Sequence, residues 1–175
     1  MTSASRSDAD QGRVRALLRL TFSTRPGARA NDLALAAVRI ALAWIFIYYG
    51  AGKLFGWFNG PGLHNTAVFM AHTADLHPGE LFAVMGGVIE FGGGIAMALG
   101  LGSRVAGLAL FGDQVMAMIT VTWVNGINSE SLTPGYEFNV ALTVMALVIV
   151  LLGPGRVSVD AMIERRFDRA GLLSS

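Results

Sequence analysis

The sequence contains no cysteine. Disulfides, thiol redox chemistry, iron–sulfur ligation by this chain and zinc sites built on thiolates are therefore excluded. Charge is scarce as well: 14% of the residues are Asp, Glu, Lys or Arg, where a soluble domain carries about a quarter. Histidine is limited to His64, His72 and His77, whose spacing matches no metal motif. None of them falls in a long apolar stretch, so a bis-histidine haem between helices is excluded and no metal site is expected. The Gly-x-Gly patterns lie inside apolar stretches and follow no strand, so they are not nucleotide loops.

What is abundant is apolar residues, 53% of the chain, at a mean hydropathy of +0.54. They fall in blocks, and a bilayer core needs roughly 20 mostly apolar residues in a helix. Four stretches qualify, at about residues 33–54, 80–101, 104–124 and 136–152. Gly102-Ser103 leaves only a tight turn between the second and third, and Gly153-Pro154-Gly155 stops the fourth. The expected fold is all-α, a transmembrane four-helix bundle over residues 32–155. An Arg-rich segment (1–31) precedes it and an amphipathic tail (156–175) follows.

The basic residues set the topology. Arg6, Arg13, Arg15, Arg19, Arg25 and Arg29 precede the first span, Arg104 sits in the second-to-third turn, and Arg156, Arg165, Arg166 and Arg169 follow the fourth. With four spans all of these share one side, and the positive-inside rule makes it the cytoplasmic side of the plasma membrane. The opposite side has Lys53 alone. No apolar stretch near the start reads as a cleavable signal peptide. Val14, Leu17, Leu18 and Phe22 recur at helical spacing beside arginines, which fits either a segment lying on an anionic surface or a disordered tail. The tail repeats the pattern with Met162, Ile163 and Phe167 opposite Arg165, Arg166 and Arg169. It is expected to rest on the inner surface. The outer loop 55–79 is long enough to hold a short interfacial helix. The surrounding lipid is thus a partner, and nucleic acid is not.

Charges within the spans are the informative residues, because each costs at least ~2.5–3.5 kcal/mol at the bilayer centre. Arg39, Glu90 and Asp113 lie inside spans, and Lys53 and Glu137 near span ends. Gly86, Gly87, Gly93 and Gly94 surround Glu90 at i±3 and i±4, a face that admits a neighbouring helix closely. Depths counted along the helices place Arg39 within reach of Asp113 and Glu90, and Lys53 beside Glu137. Two readings compete: the pairs only fix helix register, or they form a site. Three acids against two bases leave one acid without a countercharge. Such a group can relay protons or hydrogen-bond a quinone.

The segments R-I-A-L-A-W-I-F-I-Y-Y-G-A-G-K-L (39–54), G-G-V-I-E-F-G-G-G-I-A-M-A-L-G-L-G-S-R (86–104), G-Y-E-F-N (135–139) and G-P-G-R-V-S-V-D (ending at Asp160) resemble the DoxX family in order and spacing. Arg39, Lys53, Glu90 and Glu137 match that family's recurring charged positions, whereas Asp113 has no place in its pattern. The resemblance implies a four-helix membrane protein. It also implies association with oxidoreductases: members include a subunit of archaeal terminal quinol oxidase and relatives in thiosulfate:quinone oxidoreductases. Actinobacterial members are similar to a membrane component assembling with superoxide dismutase and a sulfurtransferase. The expectation is an accessory subunit with no covalent cofactor, holding a quinone and serving an oxidoreductase or antioxidant partner, with a homo-oligomer also open. It is not expected to be catalytic alone. A proton-coupled carrier and a purely structural, lipid-interacting protein are the alternatives.

Overall fold

A computed structural model describes residues 27–127 and 135–169. The chain divides into two units, residues 1–31 and 32–175. Residues 1–26, including the basic stretch around Val14 and Phe22, lie outside the described part, and the helical architecture belongs to the second unit. The described residues form six α-helices and no strand. They are α1 (Ala28–Phe55), α2 (Gly62–His72), α3 (Gly79–Leu99), α4 (Ser103–Ala117), α5 (Glu137–Leu152) and α6 (Val159–Arg169). Helix α4 runs on through a widened π turn at Met118–Thr122 and a 3₁₀ turn at Trp123–Asn125.

Three of these helical stretches, Ala28–Phe55, Gly79–Leu99 and Ser103–Asn125, are long and apolar enough to cross a membrane. Helix α5 is apolar but has only 16 residues, about 24 Å at 1.5 Å per residue. The long helices leave much apolar surface uncovered, with Trp44 76% and Val105 76% exposed. In water that would be a large cost; against acyl chains it is no cost.

Consecutive long helices run in opposite directions. We call the end where α1 and α4 begin the lower end, and the opposite one the upper end. The lower half is solid. Leu42 and Phe46 of α1, Met97 of α3, Leu110 of α4 and Ile149 of α5 pack into one cluster, each at most 1% exposed. Close helix approach is possible because small residues line the crossing between α1 and α3. A Cβ on Gly94 would sit 2.8 Å from the Ile47 nitrogen, and one on Gly50 would overlap the backbone of Phe91. The turn from α3 to α4 is three residues long, and Gly100 (φ +66°) and Gly102 (φ +58°) supply the left-handed backbone it needs.

A set of hydrogen bonds locks the lower end. Asp160 at the start of α6 accepts from the backbone N–H groups of Gly102 (2.7 Å) and Ser103 (2.9 Å), satisfying the exposed donors of α4. The Asp160 N–H donates to the Gly100 carbonyl at 2.9 Å. Arg104 donates to the Val150 carbonyl of α5 at 2.7 Å, and Asp32 accepts from the Arg156 N–H at 3.0 Å. The segment from Gly153 to Asp160 is thereby fastened to α1, to the α3–α4 turn and to the start of α4.

At the upper end, α2 lies within the 55–79 connection, where the sequence allows a short interfacial helix. Its Ala67 and Ala71 meet Gly79 at the start of α3, where no larger residue fits. Aromatic side chains crowd this end: Tyr48 stacks on Phe58 at 5.0 Å, and Trp123 on Tyr136 at 5.2 Å.

Candidate functional site

Lys53, in the last turn of α1, donates to Glu90 Oε1 at 2.7 Å. The Glu90 side chain is 5% exposed and that of Lys53 24%. Glu90 sits midway along α3, between the glycines that let α1 and α4 close in, so Lys53 reaches it by laying its aliphatic stem along the bundle. Glu90 Oε2 is buried without a donor among the described residues, and the Asp113 carboxyl of α4 interacts with the Glu90 carboxyl. Both carboxylates accept only, so a bond between them requires one shared proton. With that proton in place, the Lys53–Glu90–Asp113 group has no net charge.

Asp113 finds room there because Gly86 lies opposite: a Cβ on Gly86 would sit 3.6 Å from Asp113 Oδ1. Its Oδ2 accepts from Gln114 Nε2 at 3.1 Å. The chain continues from Asn139 Nδ2 to Gln114 Oε1 (3.0 Å) and from Thr122 Oγ1 to Asn139 Oδ1 (3.0 Å). A polar line thus crosses the upper half of the bundle from α1 to α5. Gln114, Asn139 and Thr122 are missing from the sequence-based candidates, which weigh only charges. Uncharged amides within apolar spans are the signal that could have revealed them.

The upper part of the bundle opens beside this line. A cavity of about 1000 Å³ is lined by Lys53, Glu90, Asp113, Gln114 and Asn139, by the aromatic residues Tyr48, Trp57, Phe58 and Phe138, and by aliphatic side chains. An apolar cavity with a few convergent polar groups is the usual form of a small-molecule site.

Two expected pairings are corrected. Arg39 does not meet Asp113 or Glu90: its Nη1 donates to the Pro154 carbonyl at 3.0 Å, with the guanidinium packed over Gly100. A depth count that starts at Leu33 misplaces it, because Arg39 itself, not Leu33, lies level with the α3–α4 turn at Gly100. Gly100 is ten residues and about 15 Å along α3 from Glu90. Lys53 does not pair with Glu137, because its ammonium turns inward to Glu90. Glu137 begins α5, half-buried, with Oε2 unpartnered among the described residues. Of the five candidates, then, Lys53, Glu90 and Asp113 come together, while Arg39 and Glu137 lie apart from them. His64 and His72 fall on α2 and His77 sits 3.4 Å from exposed Asp75. No cluster of three or more metal-ligating side chains occurs among the described residues.

Long apolar helices, a lipid-compatible surface and charges gathered inward define a multi-pass integral membrane protein. The family model described as DoxX matches residues 34–123, just over half of the chain. The chain belongs to the DoxX family. No curated protein and no solved structure is similar enough to give a match.

Proposed function

We propose that this protein is a four-span membrane subunit that binds a quinone-like ring in its upper cavity and serves a partner oxidoreductase, with both chain ends on the cytoplasmic side of the plasma membrane. The observation that carries the reading is the Lys53–Glu90 ion pair at the floor of the 1000 Å³ apolar cavity. A quinone needs a donor or a shared proton at its carbonyl oxygens and an apolar, aromatic-walled space for its ring. Lys53, the Glu90–Asp113 pair and Gln114 supply the first; Tyr48, Trp57 and Phe58 supply the second. With neither cysteine nor a histidine cluster to hold a redox centre, electrons would come from a partner protein. The fourth span is α5: its length of about 24 Å falls short of the usual ~30 Å core and is accommodated by local thinning. The proton-coupled carrier is less well supported, because Leu42, Phe46, Leu110 and Ile149 pack into one buried cluster in the lower half.

The test is quenching of Trp57 fluorescence by a short-chain quinone, with Trp44 and Trp123 replaced by Phe so that one reporter remains. Saturable quenching is expected. Glu90→Gln and Lys53→Met should each weaken it by about tenfold or more, the usual effect of truncating one partner of a buried charged pair. Quenching that never saturates, or that both variants leave unchanged, sinks the reading.

A further inference from the structure

We infer that α6 is a docking element for anionic phospholipid, held by Asp160 at the level where the spans leave the hydrocarbon. At about 100° per residue, Asp160, Glu164 and Asp168 form one stripe of α6, and Met162, Ile163 and Phe167 span a separate arc with Arg166 among them and Arg165 beside Met162. The acidic stripe is spoken for at its start. Asp160 is bonded to the N-terminus of α4, and Glu164 lines a cleft of about 570 Å³ that also contains Arg104 and Arg156. Asp160 and Glu164 therefore sit against the bundle, and exposed Met162, Ile163, Arg165, Arg166 and Phe167 turn away from it.

What turns away has no partner in the protein. Met162 is 63% exposed and Phe167 46%. Arg165 and Arg166 are exposed and enter no ion pair among the described residues. This surface continues the lipid-facing side of the bundle: Leu151 and Leu152 end α5, and exposed Val157 follows just before α6. A short helix whose exposed apolar strip carries Arg166 and is bordered by Arg165, placed where the acyl chains end, matches the boundary layer of an anionic leaflet. The apolar side chains enter the headgroup region while the guanidiniums meet phosphates. A protein partner would have to cover the same strip in competition with lipid that already surrounds the spans beside it.

The chain has no cysteine, so Met162→Cys carries a single nitroxide label in the full-length protein. The label's accessibility to oxygen and to a water-soluble nickel chelate is read in vesicles of phosphatidylcholine, and again with phosphatidylglycerol added. Adding the anionic lipid should shield the label from nickel. Arg165→Gln and Arg166→Gln should each weaken that response on the order of fivefold in the docked-to-undocked ratio. A label at Asn59, on the far end of the molecule, should not respond and reports that the fold is intact. Equal nickel access in both vesicles overturns the proposal and leaves the strip to a protein partner. Equal shielding in both removes the role of the arginines and overturns it too.

Discussion

Arg39 and Lys53 are cations on the same helix, fourteen residues and about 21 Å apart, and they do different jobs. Lys53 neutralises a buried carboxylate beside a cavity; Arg39 holds a loop by its carbonyl. That charged residues would turn inward was legible in the sequence, because lipid tolerates them nowhere else. Which would meet was not, since a four-carbon lysine arm spans more than a helical turn and a helix can extend below the level at which its neighbours begin. If Lys53 and Glu90 form one buried unit, Lys53→Met or Glu90→Gln alone should cost about 3–5 kcal/mol, the usual penalty for stranding a buried charge. The double variant should recover much of that loss, and thermal unfolding in micelles reads all three. Additive losses would show that the two residues act independently.

Among the elements, α4 departs furthest from its sequence. Its upper end widens into a π turn at Met118–Thr122, and nothing in Met-Ile-Thr-Val-Thr announces that, with neither proline nor glycine there. Such turns occur often at functional sites, and this one carries Thr122 to its bond with Asn139. At the other end of α4 the Gly-Ser turn was plain to read. Its partner was not: Asp160 lies nearly sixty residues away, and only folding brings it to the N-terminus of α4. Partial burial alone would push the Asp160 carboxyl up. The N–H groups of Ser103 and Gly102, the Ser103 hydroxyl and the Arg39 charge outweigh it and hold the group below the usual carboxylate range. A depressed folded value means that Asp160 contributes stability fully above its unfolded pKa of about 3.9, and loses it as pH falls through the folded value. Acid unfolding in micelles should therefore steepen below about pH 4 in the parent protein. In Asp160→Asn that component should vanish, with stability at neutral pH lower by about 1 kcal/mol, as for lost helix caps. An unchanged acid limb would show that the carboxylate has no such part.

For the molecule as a whole, the alternation of long helices and short turns was readable from hydropathy. The division into a solid lower half and a hollow upper half was not, because it depends on which side chains interdigitate. The proposed orientation in the membrane rests on the arginines gathered at the lower end. Single cysteines at Asn59 and Arg156 should react with an impermeant maleimide from opposite faces of intact cells, Asn59 from outside and Arg156 only after permeabilisation. The reverse pattern would invert the topology, and reaction of both from one face would remove a span.

The bond from Arg39 to Pro154 joins residues 115 positions apart. A ribosome makes the guanidinium long before it makes its acceptor. Through the synthesis of four helices the nascent chain must keep a charged residue near lipid with only water, headgroups or the insertion machinery to satisfy it. The first span is therefore provisional until the last has been delivered, and a chain cut short before Gly153 would be left with its Arg39 unhoused, a mark by which quality control could tell an unfinished molecule from a complete one.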